Sequence, residues 1–156
     1  MSNSNNQLNH LQNSNKHLVG SLELCDLPQL TLTGLEARVD TGATTSSLHV
    51  DNIEEIQRNA QAWISFVIHP DVHDVSKILK REAKVKSKRR VKSSNGTMER
   101  RYVIETDISI AGLQWQIQLT LTDRSSMKYL MLLGREAMAG RLIVDPEHEF
   151  LLTDSK

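Results

Sequence analysis

From Leu18 to Leu152 the chain is written in short apolar runs punctuated by Gly, Pro, Asn and Asp, a rhythm of strands and turns. Strands are predicted at 19–25, 35–39, 47–50, 62–68, 101–110, 113–121, 142–145 and 150–152. In two of them, Tyr102 to Ile110 and Trp115 to Leu121, apolar and polar residues mostly exchange with period two. They are joined across Ala111-Gly112, which predicts a β-hairpin with one buried face. A second hairpin is expected where Asp145-Pro146-Glu147-His148 separates the last two apolar runs. The clearest helical segment is 135–139. The expectation is an all-β domain over 18–156 with one short helix near the C-terminus. Residues 1–17 are crowded with Asn, Gln and Ser and bury too little apolar surface to offset the entropy of ordering, so a disordered tail is expected there.

A chain of 156 residues supports one domain with a real core. Lys plus Arg and Asp plus Glu are both 19, so there is no overall bias toward nucleic acid or anionic membrane. The start lacks a basic segment followed by an apolar run, and no stretch approaches the roughly 20 apolar residues that span a bilayer. A single cysteine, Cys25, excludes an internal disulfide and suits a reducing compartment. The expected location is the cytoplasm, with no membrane partner.

Chemistry first appears at Arg38-Val39-Asp40-Thr41-Gly42-Ala43, an Asp-Thr-Gly following an apolar strand. The pattern resembles the catalytic loop of aspartic peptidases, in which two carboxylates share one proton and so supply an acid and a base together. The motif occurs once, which implies a homodimer with an Asp40/Asp40 dyad. Gly42 lets the backbone turn beneath the carboxylate, and Thr41 can hydrogen-bond across the dyad. Ala43 is expected on the substrate side. Further on, Met131-Leu132-Leu133-Gly134-Arg135-Glu136-Ala137 is an apolar strand that stops at a glycine and passes into a helix-forming segment. Gly134 is expected to permit close backbone approach, and Arg135 to pair with a carboxylate near the loop or across the dimer. Thr44 to Ser47 are expected to satisfy backbone groups around the loop.

Together with Ser46-Ser47-Leu48-His49, Arg90-Val91-Lys92-Ser93-Ser94-Asn95-Gly96, Arg101-Tyr102-Val103-Ile104, Leu119 to Arg124, Met127 and Val144-Asp145-Pro146, these residues resemble a known family. It is the retropepsin-like proteins also named ATP-dependent zinc proteases, some of them partners of an ATP-grasp glutamate ligase. The resemblance implies a closed β-barrel of the acid protease fold and aspartic peptidase activity. One departure is Leu130, where the family has proline. The zinc and ATP of the family name find no support in the residues. There is no His-Glu-x-x-His, and a proline interrupts His69-Pro70-Asp71-Val72-His73, which reads as surface loop. No phosphate-cradling Gly-x-x-x-x-Gly-Lys-Ser/Thr is present, nor the Gly-x-Ser-x-Gly of a serine nucleophile. No cofactor and no metal site are expected.

Residues 77–92 concentrate Lys77, Lys80, Arg81, Lys84, Lys86, Lys88, Arg89, Arg90 and Lys92 against the lone acid Glu82. In the order of the retropepsin fold this basic stretch falls where the substrate-covering flap lies, so Lys88, Arg89 and Arg90 are candidate substrate-binding residues. A solvated charged loop is the plainer alternative. No aromatic residue within the run offers a base to stack on, which argues against nucleic acid. The resemblance implies an acidic substrate, since some family members work opposite a ligase that adds glutamates to a ribosomal protein. Peptide bonds in a glutamate-rich tail, including a glutamate-modified ribosomal protein, are then the expected target. The competing reading is a non-catalytic dimeric β-barrel that binds a ribosomal component through the basic loop, with a zinc hydrolase third.

Overall fold

A computed structural model describes residues 15–70, 76–92, 95–123 and 128–154. Its strands are β1 (His17–Val19), β2 (Leu22–Leu27), β3 (Leu32–Val39), β4 (Ser46–His49), β5 (Asp51–Arg58), β6 (Gln61–Ile68), β7 (Leu79–Lys84), β8 (Ser87–Lys92), β9 (Met98–Ile110), β10 (Leu113–Thr122), β11 (Met131–Leu133) and β12 (Leu142–Val144). A single short α-helix, α1 (Arg135–Met138), lies near the C-terminus.

Six strands in the order β10-β4-β11-β3-β2-β9 form a ring that closes because β9 also pairs with β10. The barrel is mixed, with β4 parallel to β10 and β11 parallel to β3. Strand β8 extends the ring as a hairpin arm on β9, and β5, β6 and β7 make a separate antiparallel sheet. The β9–β10 hairpin follows the period-two pattern. Trp115, Ile117 and Leu119 are buried while Gln114, Gln116 and Gln118 face water. Its turn places Ala111 and Gly112 both at positive φ, the mirror-image geometry that matches strand twist. Inside the ring pack Leu27, Leu35, Leu48, Ile104, Ile108, Leu119 and Leu121, each no more than 2% exposed. Full burial of such a side chain stabilises by about 1.5–3 kcal/mol.

The structure corrects three expectations. The hairpin expected across Asp145 to His148 does not form. β12 pairs instead, in parallel, with β1, and 150–152 is not a strand. The cause is the buried carboxylate of Glu23, which accepts hydrogen bonds from the N–H groups of Leu151, Leu152 and Thr153. Successive N–H groups of an extended strand point to opposite sides, so three can converge on one carboxylate only where the chain bends. Phe150, at φ 54°, supplies part of that bend.

The second correction concerns 77–92, which is not one loop. It is two strands in different sheets, switching at Val85 and Lys86, whose N–H groups go to Ala62 on β6 and Val103 on β9. The third is β5, a strand with no apolar alternation strong enough to announce it.

Of the tail expected at 1–17, residues 1–14 lie outside the described residues, and His17 opens β1. Among the described residues no helix is long and apolar enough to cross a membrane.

Candidate active site

The Asp-Thr-Gly loop leaves the end of β3 and is clamped by the start of α1. Asp40 N–H donates to the Leu133 carbonyl at 2.9 Å, Arg135 N–H to Ala43 at 2.8 Å and Glu136 N–H to Thr44 at 3.0 Å. The Arg135 guanidinium spans the same loop, donating from Nη1 to the Thr41 carbonyl and from Nη2 to Thr44 Oγ1, both at 2.9 Å. Within the chain Arg135 therefore braces backbone and hydroxyl. Ser46 Oγ accepts from the Gly134 N–H at 3.0 Å. A Cβ on Gly134 would stand 2.6 Å from the backbone of Thr45, so the glycine is required by close approach.

Asp40 is half-buried, and its Oδ1 accepts the Gly42 N–H at 2.9 Å. Among the described residues Oδ2 has no partner, leaving one carboxylate oxygen for chemistry. Gly42 does not need a left-handed backbone. Its role is space, because a Cβ there would lie 3.2 Å from Asp40 Oδ1.

Asp40 lines a cavity of about 650 Å³ with Gly42, Ala43, Thr44, Thr45 and Ser47 on one wall and Arg89, Arg90, Val91, Lys92 and Arg101 on the other; Thr122, Leu132 and Glu136 complete it. The structure thus brings Asp40, Gly42, Ala43, Arg89 and Arg90 together. Thr41 does not line the cavity; it is exposed, and its carbonyl is held by Arg135. Lys88 does not either. Its Nζ sits 3.8 Å from Glu55 and 5.0 Å from the centre of the Tyr102 ring. Gly134 and Arg135 support the loop from outside the lining.

Lys92, Arg101, Thr122 and Glu136 are cavity residues that the sequence reading did not assign to the site. Arg89 is tethered there, Nη1 donating to both Glu136 oxygens at 3.1 and 3.2 Å and Nη2 to Gln118 at 2.7 Å. Asn95-Gly96, between β8 and β9, was the available signal. A hairpin turn there brings the β8 arginines alongside Arg101, and the register sets Arg89 opposite it.

Two other groups of ionisable residues lie outside the lining. Asp145, Glu147 and His148 hold one potential ligand atom each within 4.8 Å of one another, at the surface. Hydrogen bonds from the Glu147 N–H and from His148 lower the Asp145 pKa. Near β4, His69 Nε2 is 2.9 Å from Asp51. Burial lowers the pKa of neighbouring His49 despite Asp51 and Asp123. His73 lies outside the described residues.

A family model described as "retropepsin-like aspartic endopeptidase RimB" matches residues 18–155. Among curated proteins, the chain is 48% identical over 138 residues to a "probable alpha-L-glutamate ligase" of Shewanella halifaxensis, covering 88% of this chain. It is 50% identical over 139 residues to one of the same name from Parasynechococcus marenigrum, covering 89%. In both cases the chain spans only 30% of the relative's length. A crystal structure of a Legionella pneumophila protein of unknown function superposes with a TM-score of 0.72 at 28% identity, covering 87% of this chain and 98% of that one.

Proposed function

Because the chain belongs to the RimB-like family of retropepsin-like aspartic endopeptidases, we propose that it hydrolyses peptide bonds at a dyad formed by Asp40 from two copies. A shared proton leaves one carboxylate able to take a proton from water while the other protonates the scissile carbonyl oxygen. The water attacks directly, and no acyl-enzyme forms. The observation that carries this reading is Asp40 itself, one oxygen anchored by Gly42 and the other without a partner among the described residues, in a cavity under the β8–β9 arm.

The lining also bears on substrate. Arg89, Arg90, Lys92 and Arg101 outnumber Asp40 and Glu136, four cations against two carboxylates. Such a cavity favours an acidic peptide, and the relatives' ligase name points to glutamate as the shared chemistry. The substrate is then a glutamate-rich protein tail, with no metal required by the mechanism.

The test is cleavage of a polyglutamate peptide by wild type and Asp40→Asn, with and without chelator, with the oligomeric state of each measured by sedimentation. Aspartic chemistry predicts loss of at least ~10³-fold on Asp40→Asn, where neither proton sharing nor water activation remains, and no response to chelator. Activity surviving Asp40→Asn, or a dimeric wild type that cleaves nothing, refutes it. The latter result favours a binding module, whose grip on polyanions should survive Asp40→Asn and weaken steeply with salt.

A further inference from the structure

One cation of the cavity is only partly used by its neighbours. Arg101 is 9% exposed and lines the cavity wall. Its Nε and Nη2 both converge on a single oxygen, Glu99 Oε2, at 3.1 Å. A guanidinium carries five N–H donors in a rigid fork, so this leaves the Nη1 edge without a partner among the described residues. Arg89, directly opposite across β8 and β9, is by contrast engaged through both terminal nitrogens.

A second group points the same way. Thr122 is 3% exposed and lines the same cavity, and its Oγ1 has no hydrogen-bond partner among the described residues. The β9–β10 register ends at the rung Thr120 to Val103, and Thr122 and Arg101 each lie two residues beyond that rung. A buried hydroxyl and the open edge of a largely buried guanidinium thus line one cavity from neighbouring strands, both without a partner among the described residues. A buried donor without an acceptor is costly, and a carboxylate is the acceptor that satisfies an arginine edge and a hydroxyl at once.

We infer that Arg101, assisted by Thr122, is the specificity residue of the site and receives a carboxylate of the bound peptide. This rests on the cavity being a peptide site, as proposed above. It shifts the main selectivity from the exposed Lys88 and the tethered Arg89 to a residue that reaches the cavity from β9. The carboxylate comes either from an acidic side chain or from the C-terminus of the peptide.

The two sources, and the role itself, are separated by binding in the Asp40→Asn background, where turnover does not interfere. The probes are fluorescein-labelled hexaglutamate, the same peptide as its C-terminal amide, and labelled hexaglutamine amide, at fixed salt. The parent should bind hexaglutamate about 10- to 100-fold more tightly than hexaglutamine amide, the range of one charge-assisted hydrogen-bonded contact. Arg101→Gln should collapse that ratio toward one, and Arg101→Lys should restore part of it. Thr122→Val should reduce it severalfold, and it provides the test if Arg101→Gln does not fold.

Loss of affinity on amidation alone assigns the C-terminal carboxylate, and retention assigns the side chains; either supports the role when it depends on Arg101. The inference is overturned if the ratio persists in Arg101→Gln, or if the parent shows no preference or no binding. Arg101-dependent selectivity in a protein whose wild type cleaves none of the peptides would refute the peptidase reading while leaving this one standing.

Discussion

Glu23→Gln changes one group of a residue that does not line the cavity, yet it should be among the most damaging substitutions in the barrel. Glu23 is 0% exposed. Its Oε1 accepts from Thr153 N–H at 2.9 Å, Thr153 Oγ1 at 2.7 Å and Leu152 N–H at 3.3 Å. Its Oε2 accepts from Gly20 N–H at 2.8 Å, Leu151 N–H at 2.9 Å and Leu152 N–H at 3.2 Å. An amide keeps one acceptor and turns the other into a donor, so whichever oxygen is lost, at least two donors face an N–H₂ group. At about 1–3 kcal/mol for each donor left unsatisfied, the loss is about 3–5 kcal/mol. For a chain of this size that lowers Tm by roughly 6–20 °C.

The pH dependence gives an independent reading of the same carboxylate. Burial alone would raise its pKa, but the hydrogen bonds from Gly20, Thr153 and Leu152 together outweigh burial and lower it below 4.5. A depressed folded pKa means stability that is present above the unfolded value and lost as pH falls through the folded one. Wild type should therefore weaken on acidification below about pH 4.5, and Glu23→Gln should lack this component. Thermal denaturation from pH 3 to 7 measures both. A Tm within 1 °C of wild type at pH 7, with hydrogen exchange at 150–154 unchanged, would refute the reasoning.

Two further substitutions or treatments test the core of the fold. Gly134→Ala places a Cβ against the Thr45 backbone and forces α1 off the Asp40 loop. Overpacking of this kind costs about 1–3 kcal/mol, and its loss in peptide cleavage should exceed its loss in Tm, measured side by side. Cys25, buried against Met131, has its pKa pushed up to about 12, first by burial and then by Asp26. It should resist iodoacetamide at pH 8 until the protein is unfolded, and its contribution to stability should fade as pH climbs above about 9. Labelling of the native protein at the unfolded rate would contradict that burial.

The β9–β10 hairpin was legible because one face is buried and the other wet, which writes itself as period two. Asp40, Gly42 and Gly134 were legible because each stands in a short local motif. Arg101 and Thr122 were not, since their place in one cavity depends on register across three strands and on a turn at Asn95-Gly96. Lys88, Arg89 and Arg90 are consecutive, yet only Arg89 and Arg90 line the cavity while Lys88 is drawn to Glu55 and Tyr102, so sequence adjacency overstated their common role. Glu23 gave no sign at all. Apart from Gly20, its partners lie 128 to 130 residues away, and a carboxylate in a strand reads as solvent-facing until the donors around it are counted.

The brace that Arg135 throws across the Asp40 loop reaches back 94 residues to Thr41 and 91 to Thr44. Contacts of such sequence separation are late events in folding, because the intervening chain must first be confined. At about 5–20 residues per second of synthesis, Asp40 emerges roughly 5–20 seconds before the residues that shape its loop. The nascent chain therefore carries its carboxylate without an organised site, and the braced Asp40 loop arrives only once the later strands have closed the ring.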